Sequence, residues 1–374
     1  MGRIDLKERA AITAISCRSY RIPTDGPEGD GTLAWQSTTV VVVQVYCEHH
    51  FGTGWTYSSD ACQAIVNSEL ADALVGHDAL DIAGLHEAMV RSCRNLGRPG
   101  VVAAAISAVD IALWDLKAKY LGLSLLKLFG SCRVDVPVYG SGGFTTYDEL
   151  TTASQLASWV GEFGIPRVKI KIAESWGREV DRDLKRVALA RKTIGPTVEL
   201  FVDANGGYSR KQAARIGQRL YEEHGVTWFE EPVSSDDLEG LRLLRDYLPV
   251  DVAAGEYGYD ETYFARMVAA ESVDCLQIDV TRCGGFTSFM RASAIAAAHC
   301  LEVSCHCAPS LHASVAASTV NLRHVEYFHD HARIDSLLFD GVPVPKNGVL
   351  TLDPSLTGHG MTLMEADAAV FQIG

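Results

Sequence analysis

"RVKIKIAE", Arg167 to Glu174, sets two lysines one residue apart inside a run of Val168, Ile170 and Ile172. Successive side chains of a strand point to opposite faces, so the aliphatics share one face while Lys169 and Lys171 share the other. Two ammonium groups on one face repel, and burying either is costly without a partner. The stretch therefore reads as a buried strand whose second face is reserved for charge. The rest of the chain must supply the partners.

Outward from this strand the pattern is short strand, then helix, repeatedly. Strands are predicted at 134–139, 167–172, 199–203, 227–230, 251–254, 275–280, 302–307 and 324–328, with helices between them such as 178–193 and 210–224. Seven strand–helix units at roughly 25 to 30 residue spacing favour a closed parallel barrel of the (β/α)8 type over an open doubly wound sheet. A dinucleotide-binding reading is weak, because no GxGxxG follows the early strands. Before position 133 the texture differs. Strands rich in β-branched residues are predicted at 12–21 and 38–46, joined by a glycine-rich loop from Pro23 to Trp35. Three helical patterns follow. In the clearest, Val102, Ala105, Ile106, Val109, Ala112, Leu113 and Leu116 recur at helical spacing, and Gly122 supplies a stop. The chain thus divides into an α+β domain over 1–132, a barrel over 133–342, and an irregular Pro- and Gly-rich arm over 343–374.

At 374 residues and 47% hydrophobic, the chain has enough material for a large barrel and a smaller partner. A net charge of −14 argues against nucleic acid and anionic membrane as partners. No apolar run reaches the roughly 18 residues of a membrane span. The start, "MGRIDLKERA", lacks a basic-then-apolar leader pattern, so a cytoplasmic location is expected. The ten cysteines form no CxxC pair and are expected to be reduced and mostly packed. Cys305 and Cys307 flank His306. Strand alternation would turn both away from its face, which disfavours a soft-metal site there.

Chemistry in a barrel of this kind sits where strands end and loops begin. Those ends carry Lys169 and Lys171, Asp203 with Asn205, Glu230, Glu256, Asp279, His306 and Glu326. Asp203, Glu230 and Glu256 lie 27 and 26 residues apart, at three consecutive strand ends. Each alone would pair with a lysine or cap a helix. Three facing one cavity repel unless a hard divalent cation joins them, and an all-oxygen shell points to Mg²⁺. His306 follows Asp279 by one strand–helix unit, so the carboxylate would hold the imidazole tautomer and raise its basicity. Lys169 and Lys171 lie across the mouth from that pair. A second ammonium and a nearby cation both disfavour charge, which is expected to lower the pKa of Lys171 and prepare it as a base. Lys169 would stay charged and bind a carboxylate.

In order and spacing, "VKIKI", "VDAN", "WFEEP", "AGE", "QIDVTRCGG", "SCHCAP" and "EYF" resemble the enolase superfamily, mandelate racemase subgroup, over essentially the whole chain. The resemblance implies a modified (β/α)7β barrel, an N-terminal capping domain and a C-terminal arm that returns to the cap. It implies Asp203, Glu230 and Glu256 as Mg²⁺ ligands, with Lys171 and the His306–Asp279 dyad as bases on opposite faces of a carboxylate substrate. Lys169 and Glu326 would hold the substrate carboxylate, Asn205 its hydroxyls, and Glu231 would support the site. The cap segment, with Asp25, Glu28 and Asp30, together with Arg282 and His329 near the rim, suits a polyhydroxylated acid better than a phenyl ring. The implied reaction is proton abstraction next to a carboxylate to give an enediolate. Its fate is most simply dehydration of an acid sugar to a 2-keto-3-deoxy acid, with racemisation or epimerisation, lactone cycloisomerisation and a non-catalytic binding role as alternatives. A homo-oligomer, dimer or octamer, is implied as well.

Overall fold

The computed structural model describes residues 10–373, so the start of the chain, read above for a leader pattern, lies outside the described residues. Eight parallel strands form the centre: β4 (Asp135–Gly142), β5 (Arg167–Lys171), β6 (Glu199–Asp203), β7 (Val226–Glu230), β8 (Asp251–Ala254), β9 (Cys275–Ile278), β10 (Glu302–Cys305) and β11 (Leu322–Phe328), counted after the three cap strands described below. They pair in sequence order, and β11 closes back on β4 with Glu326 opposite Tyr139. A helix follows every strand, as right-handed crossovers between parallel neighbours require.

The strand pattern follows from burial on both faces. Val168, Ile170 and Ile172 belong to the apolar layer between barrel and helices, while Lys169 and Lys171 turn inward. Beneath the lysines the barrel is filled by Tyr139, Phe201, Trp228, Ala253 and Cys275, with His324 packed among the rings. That plug closes one end, so inward charges can gather only at the other.

The N-terminal part is an antiparallel sheet of β1 (Ala14–Gly29), β2 (Ala34–Cys47) and β3 (His50–Tyr57), with Gln372–Ile373 from the C-terminal arm added beside β1. Two features differ from the sequence reading. The segment Pro23–Trp35, expected as a loop, is mostly hairpin: β1 and β2 run on with a register shift between Pro23 and Glu28, leaving a turn at 30–33. The whole of β3 was not anticipated. It packs on the helix Val101–Tyr120 through Gly52 and Gly54, where a Cβ would collide with the Ala112 and Ala108 carbonyl oxygens.

That helix is buried all round rather than along one stripe. One side meets the sheet, while Ser107 and Asp110 on another accept hydrogen bonds from Gly284, Gly285 and Thr287 of the barrel. It ends as expected near Gly122, at φ +66°, with the Leu123 amide reaching back to the Ala118 carbonyl. The arm itself pairs Val349–Thr351 with β4, passes Gly358 beside Ser124, and ends on β1. No helix among the described residues is long and apolar enough to cross a membrane.

Candidate active site

The inward lysines find their partners on other strands of the barrel. Lys169 Nζ lies 2.5 Å from Glu230, 2.8 Å from Glu326 and 3.7 Å from Asp203, and it is fully buried. Lys171 Nζ donates to Asp203 at 2.5 Å. Burial opposes both charges, but the facing carboxylates outweigh it and hold both ammonium groups above the ordinary lysine range. The lowered pKa expected for Lys171 counted a cation beside it as well as the second ammonium. Lys169 does push in that direction, yet Asp203, in direct contact, has the larger effect.

Asp203, Glu230 and Glu256 each place a carboxylate oxygen within 4.8 Å of the others, and all three are buried. Glu230 is fixed from below by Trp228, whose indole donates to it at 3.0 Å. Burial pushes Glu230 upward, and the pull of Lys169 opposes it. Glu256 Oε2 lies 3.1 Å from His306 Nε2 but in poor alignment, and it accepts no hydrogen bond. A buried, all-oxygen set with an unsatisfied acceptor fits a hard divalent cation, and Mg²⁺ suits it by ligand type.

Asp279 stands just past β9 and His306 just past β10. His306 Nδ1 donates to Asp279 Oδ2 at 2.8 Å, while Asp279 Oδ1 accepts from the Thr281 amide and hydroxyl at 2.7 Å. This fixes the ring and leaves Nε2 as the atom facing Glu256. Burial works against charge on His306, but Glu256, Glu326 and the Asp279 bond hold the imidazolium above its usual range. The two candidate bases thus sit at opposite ends of the carboxylate row: Lys171 against Asp203, His306 against Glu256.

Glu326 is occupied on every side. It accepts from Ser141 at 2.5 Å and from the Cys307 amide at 2.8 Å, besides pairing with Lys169. Cys307 departs from the sequence reading. The strand ends at Cys305, and Cys307 at φ +50° breaks the alternation, bringing its Sγ to 3.3 Å from His306 Nε2. Burial and Glu326 push its thiol up to about 12, so it is a neutral neighbour. No cysteine among the described residues forms a disulfide.

Other predicted residues are placed as follows. Arg282 is taken up by Glu256 at 3.2 Å and Asp279 at 3.4 Å and lies over the Tyr257 ring, so it braces the dyad rather than presenting a free cation. Asn205, at φ +44°, donates its backbone N–H to Asp203, and its Oδ1 is buried without a partner. Glu231 accepts from Ser235 at 2.8 Å. A cavity of about 630 Å³ joins the cap turn to the barrel rim, lined by Thr32, Leu33, Trp176, Asn205, Glu231 and Tyr257. His329 is away from it, bound to Asp25 at 3.0 Å. The three cap acids are also committed elsewhere: Asp25 to His329, Glu28 to Trp35, and Asp30 to the amides of its own turn. Thr32 and Leu33, not those acids, face the cavity from the cap. Trp228 was legible in principle, since it stands two residues before Glu230 on one strand face. Nothing in the sequence pattern pointed to Ser141.

Comparison with known proteins agrees with this geometry. Residues 23–130 match the model of the mandelate racemase / muconate lactonizing enzyme N-terminal domain, and residues 151–367 that of the enolase C-terminal domain-like family. A mandelate racemase/muconate lactonizing enzyme-like protein from Rubrobacter xylanophilus superposes with a TM-score of 0.93 at 45% identity, covering 97% of this chain and all of that one. L-talarate/galactarate dehydratase from Salmonella typhimurium, solved with Mg and L-lyxarohydroxamate, gives a TM-score of 0.89 at 26% identity over 100% of this chain and 96% of that one. D-galactarolactone cycloisomerase from Agrobacterium fabrum is 31% identical over 300 residues, 79% of this chain and 78% of its own length. Two matched domains in the expected order, on a closed barrel with these strand-end residues, make this chain a member of the mandelate racemase / muconate lactonizing enzyme family of the enolase superfamily.

Proposed function

We propose that this protein removes the proton α to the carboxylate of an acid sugar, an aldonate or aldarate, and expels a β-hydroxyl to give a 2-keto-3-deoxy acid. The observation that carries the reading is the row of Asp203, Glu230 and Glu256, with Lys171 at one end and the Asp279-held His306 at the other. The three carboxylates would hold Mg²⁺; when bound, it supplies positive charge for the substrate carboxylate and takes up the Asp203 charge that otherwise keeps Lys171 protonated.

This chain's own residues do the rest. Lys169, buried and charged among Glu230 and Glu326, is positioned to meet the negative charge that grows on the carboxylate oxygens as the proton leaves. One base takes the α-proton. In dehydration the C–O bond at the β-carbon breaks as the enediolate electrons form the double bond, and a protonated base gives the departing hydroxyl its proton, releasing water. Asn205, with its unpartnered buried oxygen on the cavity wall, is suited to a sugar hydroxyl. The likeness to a lactone cycloisomerase favours a second reading, in which the same enediolate chemistry closes or opens a ring.

The test is incubation with Mg²⁺ and a panel of aldonates, aldarates and their lactones in D₂O, followed by proton NMR. The expected result is loss of the α-proton signal together with a 2-keto-3-deoxy product. Exchange or ring isomerisation without net elimination would replace dehydratase by epimerase or cycloisomerase. Neither exchange nor product across the panel would overturn the reading.

A further inference from the structure

We propose a second divalent-cation site, outside the barrel mouth, formed by Asp25 and Glu28 of the cap hairpin and His329 at the start of the helix that follows β11, taking a zinc-like ion. Each offers a ligand atom, and these atoms lie within 4.8 Å of one another. His329 Nε2 is 3.0 and 3.2 Å from the two Asp25 oxygens. Two ligands of one tetrahedral ion, each bonded at about 2.0–2.1 Å, sit about 3.3 Å apart, so this pair already has the spacing of one edge.

Glu28 is the independent observation. Its side chain is fully buried, its Oε2 accepts from the Trp35 indole at 2.9 Å, and its Oε1 has no partner. A carboxylate oxygen enclosed and unsatisfied at a cluster of ligand atoms is costly as it stands, and a bound cation removes that cost. The guanidinium of Arg333 is near and its charge eases the ionisation of Glu28, but it donates to Asp330 at 2.7 Å and to the Pro23 carbonyl at 2.8 Å and makes no hydrogen bond to Glu28 or Asp25. Asp330 in turn accepts from Thr38 at 2.5 Å. Among the described residues Asp25 has His329 as its ion-pair partner, and Glu28 has none. An imidazole with two carboxylates selects a borderline ion of the zinc kind over Mg²⁺, which prefers all-oxygen shells, so the two sites differ in chemistry. Asp25 and His329 also line a groove of about 740 Å³ between the helices Glu149–Gly161 and His329–Leu338, so solvent gives an ion a way in. Because the ligands come from cap and barrel, the ion would clip the two parts together three residues beyond Glu326.

The experiment uses the full chain saturated with Mg²⁺ and titrated with Co²⁺, followed by calorimetry and by visible absorption. One Co²⁺ per chain, bound in the presence of Mg²⁺ and raising the unfolding temperature, is expected. Asp25→Asn and His329→Gln, both partly exposed and thus safe for folding, should each weaken that binding at least about 10-fold, the scale reached when even a hydrogen-bond partner of a ligand is removed. Co²⁺ binding that is absent from the unmodified protein, or equal in it and both variants, overturns the proposal.

Discussion

Lys169 and Lys171 differ by one turn of the pleat but meet different company. Lys169 is enclosed by Glu230, Glu326 and Asp203 and has no exposed surface. Lys171 touches Asp203 and keeps a small opening, with 5% of its surface accessible. On the proposed function, a base must reach a substrate, so Lys171 would transfer the proton, while Lys169 would stay charged. We expect Lys171→Ala and His306→Asn each to lose about 10²–10⁴-fold in turnover, the usual contribution of general acid–base catalysis. Mg²⁺ binding, followed by calorimetry, should persist in both because neither is among the three carboxylates. Either variant with full activity removes that residue from the mechanism. Strand alternation made this pair readable from sequence, since a lysine two residues from another must share its face. The electrical outcome was not readable that way. The effect of Asp203 on Lys171 depends on a contact across strands, which spacing alone does not weigh against the neighbouring ammonium.

Strand ends carry the working groups, and most are followed by a residue in the left-handed region: Gly143 after β4, Ala173 after β5, Asn205 after β6, Glu231 after β7, and Cys307 with Ala308 after β10. Each such turn re-aims the chain, so alternation stops predicting direction at the very point where the chemistry begins. The strands were legible because both faces are buried and their runs are apolar; Cys307 was misread because it lies two residues past the end of its strand. The missed strand β3 has another cause. "HFGTGWTY" contains two glycines, which lower strand propensity, and they are there to let the sheet approach a helix backbone rather than to favour a strand. Gly54→Ala should therefore be destabilising by at least about 1–3 kcal/mol, the cost of overpacking, because the obstacle is the Ala108 carbonyl and not a movable side chain. A urea-unfolding midpoint equal to that of the unmodified protein would show that sheet and helix are not held that closely.

Across the whole molecule, cap and barrel are joined by buried polar contacts as well as by apolar packing. Tyr57, at the end of β3, donates to Asp335 of the helix His329–Leu338 and stacks on His331 of the same helix, ring centroids 3.4 Å apart. Both titratable groups are shifted, in opposite senses for stability. Burial pushes Asp335 up to about 7, above an unfolded value of about 3.9, so its neutral form stabilises the fold fully below that value and the contribution is lost as pH rises through about 7. Burial pushes His331 down to about 3, below an unfolded value of about 6.5, so its contribution is present above that value and lost as pH falls through about 3. Between about pH 4 and 6.5 the two slopes oppose each other, and the unmodified protein should show little net dependence from this interface. Asp335→Asn keeps a neutral hydrogen-bonding group and removes one of the two. Its stability relative to the unmodified protein should climb by up to about 1.4 kcal/mol per pH unit over pH 4–7 and then level off, as one proton per molecule requires. Urea unfolding of both proteins across that range measures the difference directly. A constant gap would mean that Asp335 is ionised in the fold throughout, and that the cap rests on an ion rather than on a neutral acid at this contact.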